Sequence, residues 1–205
     1  MNAVSTPDQS STTPPRTPSR QGWQLKDIVL LVVLGVVFGV LYWALVQAWG
    51  ASRLLFGDLA EHVLAGGWLI VAPIAIAIIR RPFAGIGAEL IAAVVEFIFL
   101  GSPVGPLLAV VGLIQGAGSE LPFALTRYRN YSWWIFAVSG LLGAGLVFFW
   151  SAYQGGWYGT DLLWIRFVVQ IISGVILGGL LAKVTVGGIH RTGVVDNYAI
   201  GRESE

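Results

Sequence analysis

Basic residues in this chain fall on every second connection between apolar segments. Short loops rich in Lys and Arg stay on the cytoplasmic side of a membrane. The pattern therefore predicts an all-α, polytopic membrane protein of the bacterial inner membrane, with six transmembrane helices and both termini in the cytoplasm. The six predicted spans cover residues 27–49, 62–79, 83–100, 104–127, 133–153 and 161–186.

The two sides of this predicted topology differ strongly in basic residues. Only Arg53 lies in a loop assigned to the outside, and Arg166 lies within the sixth span near its outer end. Five or seven spans would break the alternation, so the count of six rests on charge as well as on hydropathy. The segments assigned to the inside carry Arg16, Arg20, Lys26, Arg80, Arg81, Arg127, Arg129, Lys183, Arg191 and Arg202.

Composition supports a membrane location and argues against several kinds of chemistry. The chain is 56% hydrophobic and 11% charged, whereas soluble domains carry about 25% charged residues. It has no cysteine, and neither of its lysines follows a glycine, so no Walker A loop is present. Its two histidines, His62 and His190, are predicted to lie on opposite sides of the membrane. We therefore expect a protein that is not an enzyme and has no cofactor and no metal site.

The chain divides into one membrane domain and two polar ends. Residues 1–22 are rich in Ser, Thr and Pro without an apolar core, which predicts a disordered cytoplasmic tail. Residues 23–190 form the predicted six-helix membrane domain, and residues 191–205 a cytoplasmic tail. The glycine-rich span 104–127 is expected to be bent or locally opened.

Polar side chains inside the predicted spans indicate a pocket that opens to the outside. A charge at the bilayer centre costs about 2.5–3.5 kcal/mol on insertion scales, so such residues suggest function. The alternative is that Arg166 pairs with a glutamate and that the glutamines join helices. Glu89 and Glu120 are also candidates, although a structural role is favoured for both. The predicted pocket residues are Gln47, Glu96, Gln115, Arg166 and Gln170.

Aromatic residues are concentrated in the outer halves of the predicted spans. Six of the nine tryptophans lie there, whereas an interfacial aromatic belt would be roughly symmetric. Carboxylates and carboxamides between aromatic walls suit a flat heteroaromatic ligand with paired donors and acceptors, or a cation. The candidates for stacking on such a ligand are Tyr42, Trp43, Tyr153 and Trp157.

Several motifs in order resemble the YkoE family, the substrate-binding S components of energy-coupling factor (ECF) transporters. The resemblance covers residues 23–190 and implies a six-helix S component that captures thiamine or its hydroxymethylpyrimidine precursor from outside. It also implies three partners, a transmembrane coupling protein and two cytoplasmic ATPases. Gly35 and Gly39 occupy the spacing of the small residues that dock S components on the coupling protein. The motifs lie at residues 23–30, 35–39, 42–43, 80–82, 87–90, 101–103 and 115–120.

Three other functions remain open from the residues alone. The first is an S component for another vitamin, since pocket geometry decides specificity. The second is a stand-alone proton-coupled carrier that uses Glu89 and Glu120 as a relay. The third is a structural assembly factor without a ligand.

Overall fold

The computed structural model describes residues 22–102 and 105–201, and within them the chain is helical with no strand. The tail predicted for residues 1–22 lies almost wholly outside the described residues, as does the end of the chain after 201. The helices are α1 Leu25–Phe56, α2 Ala60–Leu64, α3 Val71–Ile79, α4 Ala84–Val94, α5 Leu107–Leu125, α6 Trp133–Gln154, α7 Leu163–Ser173 and α8 Leu181–Arg191.

The described residues include four helical stretches that are long and apolar enough to cross a membrane. Leu25–Ile79 is the longest, with 55 residues. At 1.5 Å per residue a straight helix of that length would reach ~80 Å, well beyond a hydrocarbon core of about 30 Å. The other three are Leu107–Leu125, Trp133–Gln154 and Leu163–Arg191.

The 55-residue stretch folds back on itself after α1. Gly57 ends α1 with a φ of 55°, in the region that favours glycine. The 3₁₀ turns Gly57–Leu59 and Ala65–Leu69 flank α2 and lead into α3. The hydroxyl of Tyr42 on α1 then accepts a hydrogen bond of 3.2 Å from the Val71 amide of α3. α1 and α3 therefore pack side by side, although α1 ends seven residues later than the sequence predicted.

Departures from α-helical geometry occur before and after α5 along the chain rather than within it. α5 runs unbroken from Leu107 to Leu125, with Pro122 inside it. Of the two expectations for the fourth span, a local opening was therefore wrong, and a bend stays a prediction. π-Helical turns instead extend α4 over Val95–Phe99 and join α7 to α8 over Gly174–Leu180. The glycines of α5 serve packing: a Cβ on Gly116 would come within 2.5 Å of Ile86 Cα.

The segment after α8 is packed against the helices. Val195 is buried within the same apolar cluster as Phe123 and Val186. The Lys26 ammonium donates a hydrogen bond to the Asn197 carbonyl. Residues 192–201, which belong to the predicted cytoplasmic tail 191–205, are therefore folded against the helical bundle.

Close backbone contacts hold α6 against the π-helical turn Gly174–Leu180. Gly140 lies so near the turn that an added Cβ would meet the Gly174 carbonyl oxygen at 2.0 Å. Gly179 lies equally near α6, where its Cβ would be 2.3 Å from the Phe136 carbonyl oxygen. Glycine at these positions allows the two backbones to touch, as in other membrane helix pairs.

A Gly140→Ala substitution is expected to destabilise the protein by about 1–3 kcal/mol, because its methyl group would overpack a backbone contact. Gly145→Ala on the same helix is the matched control, since its Cβ would meet only Ile171 Cδ1, at 3.6 Å. Thermal unfolding in detergent measures both. An equal loss of stability in the two variants would contradict this account of the contact.

Candidate functional site

The two ends of the helical bundle differ in chemistry. At one end, called the basic end, Arg81 lies 3.6 Å from Asp27 and the Arg80 guanidinium stacks on Tyr131. The Lys183 ammonium donates to the Tyr131 carbonyl there. The opposite end, called the cavity end, contains the two cavities described next.

The inner cavity has a volume of ≈ 170 Å³. Three of the predicted pocket residues line it together, namely Glu96, Gln115 and Gln170. They come from the π-helical turn after α4, from α5 and from α7. The rest of the cavity wall comes from α1, α2, the 3₁₀ turn Ala65–Leu69 and α6. The remaining lining residues are mostly apolar: Val46, Trp49, Glu61, Ala65, Trp68, Leu69, Leu108, Val111, Ala144, Val147 and Ser151.

The polar groups of the inner cavity are buried but keep hydrogen-bonding capacity. Glu96 is 1% exposed and accepts a 2.9 Å hydrogen bond from Ser102 Oγ. A carboxylate has further lone pairs beyond that bond. The Gln115 carboxamide, also buried, makes no hydrogen bond to another described side chain or backbone group. Such groups in an apolar cavity suit a ligand that supplies the missing partners.

A second, outer cavity of ≈ 280 Å³ adjoins the inner one through Trp49 and Glu61, which line both. Arg166, another predicted pocket residue, lies here, 3.6 Å from Asp58 and with its guanidinium 5.0 Å from the Trp157 ring centre. Arg166 thus pairs with an aspartate rather than with a glutamate. Because Asp58 is 70% exposed, this ion pair contributes little to stability.

The other predicted contacts lie outside both cavities. Gln47, Trp43 and Tyr153 are exposed on the bundle surface. Tyr42 is buried, and its hydroxyl donates to Glu89 Oε1 at 3.3 Å. Of the four predicted stacking residues, Trp157 is the one that lines either of the two cavities described.

Glu89 satisfies backbone groups at the start of α3. Its Oε1 accepts the Ala72 amide at 3.3 Å, next to the Val71 amide that Tyr42 accepts. The first amides of a helix have no intrahelical partner. Pro73, at the third position of α3, has no amide hydrogen and needs no acceptor. Glu89 and Tyr42 therefore cap an interior helix terminus, which agrees with the structural alternative.

Glu120 performs the same task for α4 at the basic end. Its two oxygens accept the amides of Phe83 and Ile86, the latter at 3.0 Å, and the Tyr128 hydroxyl donates to it at 2.7 Å. Burial raises the pKa of Tyr128, and the hydrogen bond to Glu120 acts in the same direction. The phenol thus remains a neutral donor, and Glu120 lies at the end of the bundle away from the cavities.

The glycines predicted to dock a partner are covered within the chain itself. A Cβ on Gly35 would lie 2.5 Å from Ile91, and one on Gly39 would lie 2.7 Å from Val95. Both glycines therefore face α4 and its π-helical turn. The prediction that they form a partner surface was wrong, because small residues serve close helix contacts inside the bundle as readily as between subunits.

Sequence reasoning did not select four cavity residues, Trp49, Glu61, Trp68 and His62. The two tryptophans are among the six that the sequence places in the outer halves of the spans, and His62 has no second histidine on its side of the predicted membrane. His62 is in fact 1% exposed, and its Nδ1 lies 2.7 Å from Gln170 Oε1. No pattern in the sequence links residues 62 and 170, so only the fold could place them together.

A bundle of apolar helices that encloses a largely apolar cavity with a few buried polar groups is typical of a membrane protein that binds a small ligand. Residues 26–146 match the family described as ABC-type cobalt transport system, permease component. In the described part of the chain, no group of three His, Cys, Asp or Glu side chains could hold a metal ion.

Two similar proteins identify the family more closely. The chain is 35% identical over 185 residues, 89% of its length, to a protein of Bacillus subtilis (strain 168) named HMP/thiamine permease protein YkoE, of which it covers 92%. A solved S-component of an ECF transporter superposes with a TM-score of 0.83 at 35% identity, over 89% of this chain and 93% of that one. The chain belongs to the YkoE family of ECF transporter S components, which are multi-pass membrane proteins.

Replacing Glu120 with alanine is expected to destabilise the protein by about 1–3 kcal/mol in all, because two partly buried amides lose their acceptor. Tyr128→Phe should cost less, because Phe83 and Ile86 keep their acceptor. Chemical or thermal unfolding in detergent gives the order of the two effects. A Tyr128→Phe loss as large as that of Glu120→Ala would show that the amide contacts do not matter.

Proposed function

We propose that this S component captures hydroxymethylpyrimidine (HMP) or thiamine from outside the cell. The inner cavity carries the proposal, because Glu96, Gln115 and Gln170 meet there between the tryptophans Trp49 and Trp68. The name of the Bacillus relative, HMP/thiamine permease, supports the same ligand class. The ligand is therefore a small aromatic heterocycle that carries hydrogen-bonding groups at its edge.

The size of the inner cavity suits one aromatic ring. A protein cavity of about 150 Å³ accommodates benzene, and the inner cavity has ≈ 170 Å³. An aminopyrimidine ring presents acceptors and an amino donor, which match a carboxylate and two carboxamides. The thiazolium ring of thiamine would extend toward the outer cavity, where the carboxylates of Glu61 and Asp58 balance the charges of Arg53 and Arg166.

The proposed topology has six membrane-crossing segments. The hairpin of α1 with the α2–α3 arm supplies two, and α4 with its π-helical turn supplies a short third. α5, α6 and the α7–α8 stretch supply the rest. The basic end would face the cytoplasm, since Lys and Arg accumulate on that side, and the cavity end would open outward in a bacterial cell membrane.

Transport would require other subunits. No Walker A motif occurs in the sequence, so energy must come from elsewhere. Membership of the ECF family supports a coupling protein and ATPase subunits as partners. On α1 the uncovered face is not the one with the two glycines. It is the opposite, apolar face, which carries Val29, Val32, Val36 and Val40 and is open to a partner or to lipid.

Titration of the purified protein in detergent with thiamine or HMP should quench tryptophan fluorescence saturably, because Trp49 and Trp68 line the cavity. Glu96→Ala should raise Kd about tenfold or more, the equivalent of a lost hydrogen bond to a charged group, about 1.5–3 kcal/mol. Folding of each variant is checked by its thermal transition.

Two controls separate ligand contact from other effects. Gln47→Ala alters an exposed residue that lines neither cavity and should leave Kd unchanged. Ser102→Ala removes only the hydrogen bond to Glu96 and should weaken binding less than Glu96→Ala does. No saturable response to either compound from folded protein would refute the proposed ligand.

The absence of native cysteines makes the topology directly testable. Asp161→Cys introduces a thiol at the exposed cavity end, and Val194→Cys introduces one at the exposed basic end. A membrane-impermeant maleimide should label the first in intact cells and the second only after permeabilisation. Labelling of both, or of Val194→Cys alone, in intact cells would contradict the proposed orientation.

A further inference from the structure

The side chain of Gln170 is held by two hydrogen bonds at the wall of the inner cavity. Its Nε2 donates to the Ala144 carbonyl of α6 at 3.0 Å. Its Oε1 lies 2.7 Å from Nδ1 of His62 on α2. Gln170 is 3% exposed, so both contacts are buried and poorly replaced by water.

These two partners together determine the protonation of the histidine ring. A backbone carbonyl only accepts, so the carboxamide atom that faces Ala144 must be the nitrogen. The oxygen then faces His62, and an oxygen can only accept. His62 must therefore carry its proton on Nδ1, because the hydrogen bond made by one ring nitrogen selects the tautomer.

His62 itself does not line the inner cavity, but it is fixed in place beside it. Its ring packs edge-on against Trp157, with centres 5.1 Å apart, and lies 6.0 Å from the Phe148 ring. It borders only the outer cavity. Any effect of His62 on a ligand in the inner cavity must therefore pass through Gln170.

The bonds to Ala144 and His62 leave Gln170 with one free N–H and one free oxygen lone pair. A side-chain amide that could turn over would offer these two groups in either order. In the turned-over form the carboxamide oxygen would face the Ala144 carbonyl oxygen, so Ala144 sets the order. The second hydrogen bond, from Nδ1–H of His62, holds the side chain rigidly in that order. A fixed donor beside a fixed acceptor matches a ligand edge that has a ring-nitrogen acceptor beside an amino donor.

We propose that His62 is a positioning residue that locks the carboxamide of Gln170 and so makes the inner cavity select an amino-substituted heterocycle over its oxo analogue. The inference rests on the proposed function, since it concerns the ligand of the same cavity. In the oxo analogue the ring nitrogen becomes a donor and the substituent an acceptor. That reversed edge would place donor against donor and acceptor against acceptor, and buried mismatches of this kind are rejected strongly.

The tautomer can be tested without altering His62. The chain has only two histidines, His62 and His190, so a His190→Gln variant labelled with ¹⁵N-histidine reports on His62 alone. Its ring nitrogen shifts in detergent should show a protonated Nδ1. A neutral ring protonated only at Nε2 would overturn the proposal.

Selectivity provides the second test, with thiamine and its 4-oxo analogue oxythiamine as the two probes. The wild-type protein should prefer thiamine. His62→Leu, which fills the space without a donor, should reduce that preference about tenfold, the effect of one hydrogen bond. His62→Asn, whose side-chain N–H can replace Nδ1–H, should keep most of it. A general loss of stability would lower the binding-competent fraction equally for both probes and leave their ratio unchanged.

The outcomes distinguish the proposed function from the role of His62. Failure of folded wild-type protein to bind thiamine or HMP would refute the proposed function. Binding with an unchanged thiamine preference in His62→Leu would refute the role of His62 alone. A preference lost in His62→Leu and regained in His62→Asn would establish it, and if His62→Leu does not fold, the ¹⁵N measurement decides.

Discussion

Buried backbone amides at interrupted helices are the constraint on which this fold depends. Hydrocarbon offers no hydrogen bonds, so each amide released inside the bundle needs a partner from the protein. Glu89 and Tyr42 provide it at the start of α3, and Glu120 provides it at the start of α4. Ser173 does the same for the turn before α3: it accepts the Gly66 amide and donates to the Val63 carbonyl.

These interruptions shape the cavity end. The chain turns back after α1 through 3₁₀ segments, and the Ser173 contacts tie that turn to the end of α7. The turn brings Glu61 and Trp68 to the cavity wall, while the π-helical turn after α4 carries Glu96. Irregular backbone is thus placed where it lines a cavity or contacts protein, which is where membrane proteins tolerate it.

The same contacts explain why polar residues of one type have different tasks. Glu89 and Glu96 lie two helical turns apart on α4 and its extension, so they share a face. The start of α3 packs opposite Glu89, and the Ala72 amide donates to its carboxylate. Glu96 instead accepts a hydrogen bond from Ser102 and lines the inner cavity. Neither residue type nor spacing distinguishes them, since the distinction comes from the element packed opposite.

Hydropathy and charge in the sequence alone determined the class of structure: an all-helical membrane protein with its basic residues collected on one side. Glu96, Gln115 and Gln170 could also be selected from sequence, because polar groups in apolar spans are costly without a role. The partners of each group were decided by tertiary structure. Gly35 and Gly39 pack inside, Tyr42 and Glu120 bind backbone, and His62 meets Gln170, which lies 108 positions later in the chain. Local patterns report the solvent around a helix, whereas only packing determines which helix faces which.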